Sequence, residues 1–331
     1  MGIEGGDPFM KFAKYAVLLM LLCTLVIPST SHSLTADKPV SVRAPHIKFG
    51  TIPVLQSLSL FVASEKGFFK EQGLSVEIVL FNSAMEKDIA LSAGQIAGYF
   101  GDIMTPMVLQ ANGTNVKMTA TNFNTTTEQR MFALLASPQS KNKSLEEIAK
   151  AGIATGSNTI AEYLIVGLLK PRNISKDKIN LIDVKKIPIR LQMLLSGQVS
   201  AALMPEPLAT LAETKGAKAL IDDKSQGLST TILAFNDRFL RDHPQAVKSF
   251  HTAVNKAADY INKNPNEVRA IMNRECKMPD LLQGSFPIPK FPRLATPSQK
   301  QVMDVYEWLR EKQIITKNMT YKDMVADGYI P

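Results

Sequence analysis

Two cysteines stand in the 331-residue chain, Cys23 and Cys276. So few excludes the small disulfide-stapled secreted class and leaves an ordinary apolar core to hold the fold. The four histidines (His32, His46, His243 and His251) are scattered. None stands with Cys or Glu at the spacing of a zinc site. There is no Gly-x-Ser-x-Gly, so the nucleophile elbow of the α/β-hydrolases is absent. The glycine-containing stretch Ala154-Thr155-Gly156-Ser157-Asn158-Thr159 lacks the lysine that a nucleotide-hydrolysing P-loop requires. No cluster of Arg and Lys with interleaved aromatics occurs, which argues against nucleic acid as a partner. The sequence shows no short repeat, no low-complexity tract, and no apolar run beyond the N-terminus long enough to span a bilayer.

What is there begins with that N-terminus. Met10-Lys11-Phe12-Ala13-Lys14 is a short basic region, Tyr15 to Ile27 is apolar, and Pro28-Ser29-Thr30-Ser31-His32-Ser33 follows. Ser31 and Ser33 fit the small-x-small cleavage rule of a secretory signal. Residues 1–33 are therefore read as a signal segment with an upstream extension before Met10. An anchor retained in the membrane is the alternative. Lipid attachment at Cys23 is disfavoured by the bulky Leu22 before it. If Cys23 leaves with the signal, Cys276 is left single.

Apolar residues make up 45% of the chain, enough to bury a sizeable core in two lobes. The 38 basic and 30 acidic residues give a net charge of +8, in keeping with a modestly basic soluble protein. Ile47–Ile52 reads as a strand, Ser59–Gln72 as a helix stopped by Gly73, and Leu74–Leu80 as a second strand. Ala84–Ala93 is helical. Ala97–Phe100 and Val116–Ala120 are strands, with Gly101-Asp102 at the end of the first. The rhythm restarts after Pro138 and closes in long helices, Pro244–Asn262 and Pro297–Lys312. Strands alternating with helices imply a mostly parallel sheet covered on both faces. The fold class is α/β, in two units with a helical C-terminal part. Met131–Ser137 and Thr230–Phe235 are the candidate crossings. Lobe one is expected at 45–132 plus 235–331 and lobe two at 133–234.

Ligands of open α/β sheets bind beyond the carboxyl ends of the strands. Those ends supply Gln56, Phe81, Asn82, Ser83, Gly101, Asp102, Asn122 and Phe123 in the first unit, and Ser157, Asn158, Thr159 and Glu206 in the second. The set offers amides, hydroxyls, two carboxylates and two stacking faces. Each member also has a plain structural reading. Thr159 with Glu162 matches a capping box, Asn82-Ser83 can cap the next helix, and Gly101 can serve a tight turn. Glu206 is held between Pro205 and Pro207, which suits a positioned contact or a helix start. Nothing in the set forms catalytic machinery or a metal or cofactor site, so binding is favoured over chemistry.

Three stretches carry a family likeness: Ala63-Ser64-Glu65-Lys66-Gly67-Phe68-Phe69-Lys70-Glu71-Gln72-Gly73-Leu74, the Gly156-Ser157 loop, and Leu194-Leu195-Ser196-Gly197-Gln198-Val199-Ser200-Ala201-Ala202 running into Glu206-Pro207. Through them the chain resembles the solute-binding proteins of ABC importers, in the group that includes nitrate, taurine, alkanesulfonate and thiamine-pyrimidine-precursor binders. The likeness covers about Ile47 to Trp308. It implies a type II periplasmic-binding-protein fold, with two α/β lobes joined by a two-strand hinge. It further implies ligand-induced closure and delivery to permease and ATPase subunits outside the cytoplasm. It places ligand contacts at Gln56, Asn82, Ser83, Gly101, Asp102, Ser157 and Glu206. The chain departs from the group at Pro205, where many members have Trp, and at Ser200, where many have Asp. Only Arg130 is basic near the expected cleft, which favours a neutral or cationic organic solute over an oxyanion. Two other functions fit the resemblance less well: a periplasmic ligand sensor, and an enzyme akin to the fungal thiamine-pyrimidine synthase, whose cysteine-rich motif is missing here.

Overall fold

Alternating Phe49, Phe100 and Phe235 against Tyr99, Ile232 and Ala234 give the first sheet two buried faces, and every helix around it is placed by that alternation. A computed structural model describes residues 45–331 apart from 142, 143 and 225. The signal segment, Met10 and Cys23 lie outside the described residues.

In chain order the elements begin β1 (His46–Thr51), α1 (Leu58–Glu65), α2 (Phe68–Glu71), β2 (Ser75–Leu80), α3 (Ala84–Ser92), β3 (Gly98–Asp102), α4 (Thr105–Ala111) and β4 (Val116–Asn124). The second unit contains β5 (Phe132–Ala136), α5 (Leu145–Ala151), β6 (Ile153–Thr155), α6 (Ile160–Leu169), β7 (Leu181–Asp183), α7 (Ile187–Leu195), β8 (Ala201–Pro205), α8 (Leu208–Thr214) and β9 (Lys218–Asp222). The chain then returns through β10 (Thr230–Asn236) to α9 (Asp237–Asp242), α10 (Pro244–Lys263), α11 (Arg269–Glu275), α12 (Gln299–Glu311) and α13 (Tyr321–Met324).

The two sheets share one plan. Their orders are β2-β1-β3-β10-β4 and β7-β6-β8-β5-β9. In each, β1–β3 or β6–β8 run parallel, and one strand, β10 or β5, lies antiparallel between its neighbours. That antiparallel strand is the one by which the chain enters from the other sheet. Two α/β lobes of the periplasmic-binding-protein type result.

The core divides by sheet face. Ile47, Phe49, Phe100 and Phe235 pack on α1, α2, α10 and α11. The rings of Phe49 and Phe69 lie 4.6 and 4.8 Å from that of Phe250 on α10. Val247, Phe250, Val254, Ala257 and Ile261 recur at three and four residues, so the long α10 buries one face. The opposite face takes α4 and α12. The second sheet is clad by α5 and α6 on one side and by α7 and α8 on the other.

Several boundaries differ from the sequence expectation. The single helix expected over Ser59–Gln72 is broken at Gly67, whose φ of +77° is left-handed and suits glycine. Strand β3 extends to Asp102 and β4 to Asn124, so Gly101, Asp102 and Asn122 lie within strands. The expected crossings are the receiving strands instead. Residues 230–234, placed in lobe two from sequence, pair with β3 and β4 in the first sheet, and Phe132 pairs in the second. The chain crosses at 125–131 and 223–229. There Asp223, fully buried, accepts the N–H of Met131 at 2.9 Å and of Phe132 at 3.1 Å through Oδ1. Its Oδ2 accepts from the Ser229 hydroxyl. One carboxylate thus fastens the two crossings together.

Helix α12 adds a third link between the lobes. Lys312, just past its end, donates through Nζ to Glu162 Oε1 at 2.6 Å, and Trp308 meets Tyr163 edge-on at 5.7 Å, while Gln301 Nε2 donates to the carbonyl of Gly227 in the second crossing at 2.7 Å. No helix among the described residues is long and apolar enough to cross a membrane.

Candidate functional site

Strand ends β1, β4 and β8 converge beside the hinge. They enclose a cavity of about 320 Å³ lined by both lobes and by a proline-rich C-terminal segment. Its apolar walls are Leu55, Phe123, Phe286 and Ile288; its polar groups are Gln56, Glu128, Arg130, Glu206, Thr210, Lys224 and Lys290. The cavity unites four residues singled out from sequence: the strand-end candidates Gln56, Phe123 and Glu206, and Arg130, the basic residue near the expected cleft.

Arg130 organises this site. Its Nε–H donates to Glu206 Oε1 at 2.5 Å, and its Nη2 donates to Glu213. Burial works against the Arg130 charge, but Glu213 and Glu206 outweigh it and hold the guanidinium pKa above its usual value. Glu206 Oε2 also accepts from Thr210 N–H at 3.1 Å and Thr210 Oγ1 at 2.8 Å. The Glu206 carboxylate therefore caps the start of α8 and neutralises Arg130 at once. The segment 286–290 is held over the cavity by Gln129, whose side chain donates to the Lys290 carbonyl at 2.8 Å and accepts its N–H at 3.0 Å.

The remaining sequence candidates are spread along the strand ends and have local partners. Ser83 Oγ accepts Glu86 N–H at 3.2 Å and so caps α3, and Asn82 N–H, one residue before that cap, donates to Glu86 Oε2 at 3.1 Å. Phe81 is half-buried and packs beside Gly50. Asp102 Oδ1 accepts Met104 and Thr105 N–H at 2.8 and 2.9 Å, and Oδ2 accepts the Thr105 hydroxyl. Asn122, 1% exposed, uses both ends of its amide on the Gln56 carbonyl and the Ser59 hydroxyl. In the second lobe, Ser157 N–H donates to Asp183 at 2.9 Å, Asn158 N–H to Glu162 Oε2 at 2.8 Å, and Thr159 Oγ1 accepts Ala161 N–H at 3.2 Å. The first amides of this loop are thus satisfied within the protein. Glu162 reaches back one residue further than the capping box predicts, to Asn158.

Gly101 has a packing reason. A Cβ there would stand 2.8 Å from the Tyr99 ring and 3.6 Å from Lys87 Nζ. Lys87, 2% exposed, rests its ammonium 3.6 Å from the Tyr99 ring centroid and donates to Asp88 Oδ1 at 2.7 Å. Burial lowers the Lys87 pKa and raises that of Asp88. Sequence reasoning passed over Lys87, Thr210, Lys224 and the 286–290 segment. Of these only the last had a local signal, the recurrent prolines of Phe286-Pro287-Ile288-Pro289-Lys290. Among the described residues no group of acidic, His and Cys side chains could hold a metal ion.

Two lobes of identical strand order, a two-segment hinge and a cavity at that hinge define a binding-protein fold. The model of the family described as NMT1/THI5 like matches residues 55–268, and the chain belongs to that family. Among solved structures, the alkanesulfonate-binding protein SsuA from Xanthomonas axonopodis pv. citri bound to MOPS superposes with a TM-score of 0.72 at 16% identity, covering 86% of this chain and 99% of that one. The periplasmic aliphatic sulphonate binding protein SsuA from Escherichia coli gives 0.75 at 12%, covering 85% and 98%. The periplasmic nitrate-binding protein NrtA from Synechocystis PCC 6803 gives 0.57 at 15%, covering 71% and 68%. At these identities the likeness carries the fold. A comparison with curated proteins finds no match.

Proposed function

We propose that this protein is the extracytoplasmic solute-binding component of an ABC importer. The observation that carries the reading is the hinge-side cavity, whose walls come from both lobes. A solute held there contacts both lobes at once, so it stabilises the closed arrangement over the open one. The lobes move about 125–131 and 223–229, and a permease with its ATPase reads the closed form. The basic and apolar N-terminal stretch supports export by a signal segment.

Gln56, Phe123, Arg130, Glu206 and Thr210 form the proposed contact set, with Phe81, Asn82, Ser83, Gly101, Asp102, Asn122, Ser157, Asn158 and Thr159 acting mainly by shaping the strand ends. The solute preference follows from the pairing. Asp102 and Glu206 are already matched by donors of the protein, which removes the reason to favour a cationic solute. A neutral or anionic organic molecule with an apolar body fits the Phe123, Phe286 and Ile288 walls.

Native mass spectrometry of the purified chain tests this. One small molecule should be carried per chain and lost on unfolding. Catalytic turnover of that molecule by the purified chain would refute the binding reading.

A further inference from the structure

Arg190 is the unusual cation of lobe two. It stands in the first turn of α7, three residues after Ile187, and is 3% exposed. Among the described residues its side chain makes one hydrogen bond, a long 3.5 Å contact from Nη1 to the Val184 carbonyl. Nε is sealed from solvent and has no partner. Arg190 forms no ion pair among the described residues, and burial alone pulls its pKa down to about 10. Arg130, by contrast, has two carboxylates. A buried guanidinium costs free energy unless an acceptor completes it.

The place of this cation matters. Strand β7 ends at Asp183 and α7 begins at Ile187, so Arg190 sits at the carboxyl edge of the second sheet, the edge that also carries Ser157 and Glu206. Helix α7 packs on β6 and β8, the strands that end in those two loops. The carboxylates of this edge are engaged elsewhere: Asp183 accepts from Ser157 N–H, and Glu206 accepts from Arg130. Exposed Lys185 and Lys186 precede the helix and add positive potential.

We propose that Arg190 is a binding residue for a carboxylate group of the solute. Nη1 lies on the Cδ side of the guanidinium and is used by Val184. The free atoms, Nε and Nη2, are the pair that forms the side-on fork. That fork matches the two oxygens of a planar carboxylate. The inference rests on the solute-binding reading and narrows it from a neutral or anionic molecule to an organic acid.

The test uses thermal unfolding of the purified chain with acetate, methanesulfonate and acetamide at constant ionic strength. Acetate is expected to raise the melting temperature saturably, by about 2 °C or more well above half-saturation, with acetamide inert. Arg190→Met should lose that response while melting higher than wild type in the absence of acetate, because an unpaired buried charge is gone. Arg190→Lys keeps a charge without the fork and should lose most of the response. An undiminished acetate response in either variant overturns the proposal, as does a wild-type response to methanesulfonate that exceeds the response to acetate. If native mass spectrometry finds a carried solute but acetate has no effect on wild type, the Arg190 inference fails and the solute-binding reading stands. If acetate is held through Arg190 but no solute is ever carried, the carboxylate site stands and the importer reading fails.

Discussion

Asp223 Oδ1 accepts the backbone N–H of Met131 at 2.9 Å, joining two hinge segments that lie 92 residues apart in sequence. Replacing Asp223 with Ala would leave the Met131 and Phe132 amides buried without an acceptor and should destabilise the protein by about 2–4 kcal/mol. Asp223→Asn keeps the Oδ1 acceptor. Burial raises the Asp223 pKa above 3.8 despite its donors. The folded protein therefore holds that proton more tightly than the unfolded chain, and stability falls as pH rises from 3.8 through the raised value. Urea midpoints against pH should show that fall in wild type and not in Asp223→Asn.

His251 titrates in the opposite sense. It is fully buried, with Nδ1 at 2.9 Å from the Tyr329 carbonyl and Nε2 at 3.1 Å from Thr119 Oγ1. Burial lowers its pKa from 6.5 to about 4. The unfolded chain takes up the proton first, so stability present above pH 6.5 is lost as pH falls toward 4, by about 3 kcal/mol. His251→Gln should flatten that part of the stability profile.

The Arg130–Glu206 pair separates site chemistry from scaffolding. Arg130→Ala should cost about 3 kcal/mol, because Glu206 stays buried with only Thr210 as donor. Combining Arg130→Met with Glu206→Gln should recover much of that loss in urea melts while abolishing solute binding. Binding retained at wild-type strength would remove both residues from the contact set.

Lys312 and Glu162 bind the lobes together at 2.6 Å, with Glu162 almost wholly buried. Lys312→Met should weaken closure and lower solute affinity by roughly tenfold, about 1.4 kcal/mol. Fluorescence transfer between labels on the two lobes would read the shift toward the open form.

Two strand glycines make unequal demands. A Cβ on Gly98 would stand 2.5 Å from the Ala234 carbonyl on the neighbouring strand, where backbone has no room to yield. On Gly101 it would meet the Tyr99 ring at 2.8 Å. Gly98→Ala should lose about 3 kcal/mol and Gly101→Ala about 1–2 kcal/mol in urea unfolding.

The sequence by itself determined the local architecture. Alternating apolar residues such as Ile47 and Phe49 marked strands, three-and-four spacing marked α10, and Ser83 and Thr159 marked helix starts they do cap. These signals are local, because a strand face or an N-cap is set by residues two to four positions apart. The partners of polar groups were decided only by the tertiary structure. Glu206 looked like a free carboxylate until folding brought Arg130, 76 residues away, onto it. Asp102 and Asn122 stood as ligand candidates at strand ends until their strands proved longer and their side chains proved engaged within the protein. Arg190 gave no signal at all: a lone arginine in a helix becomes informative only when burial removes water from its Nε and the fold supplies that atom no acceptor.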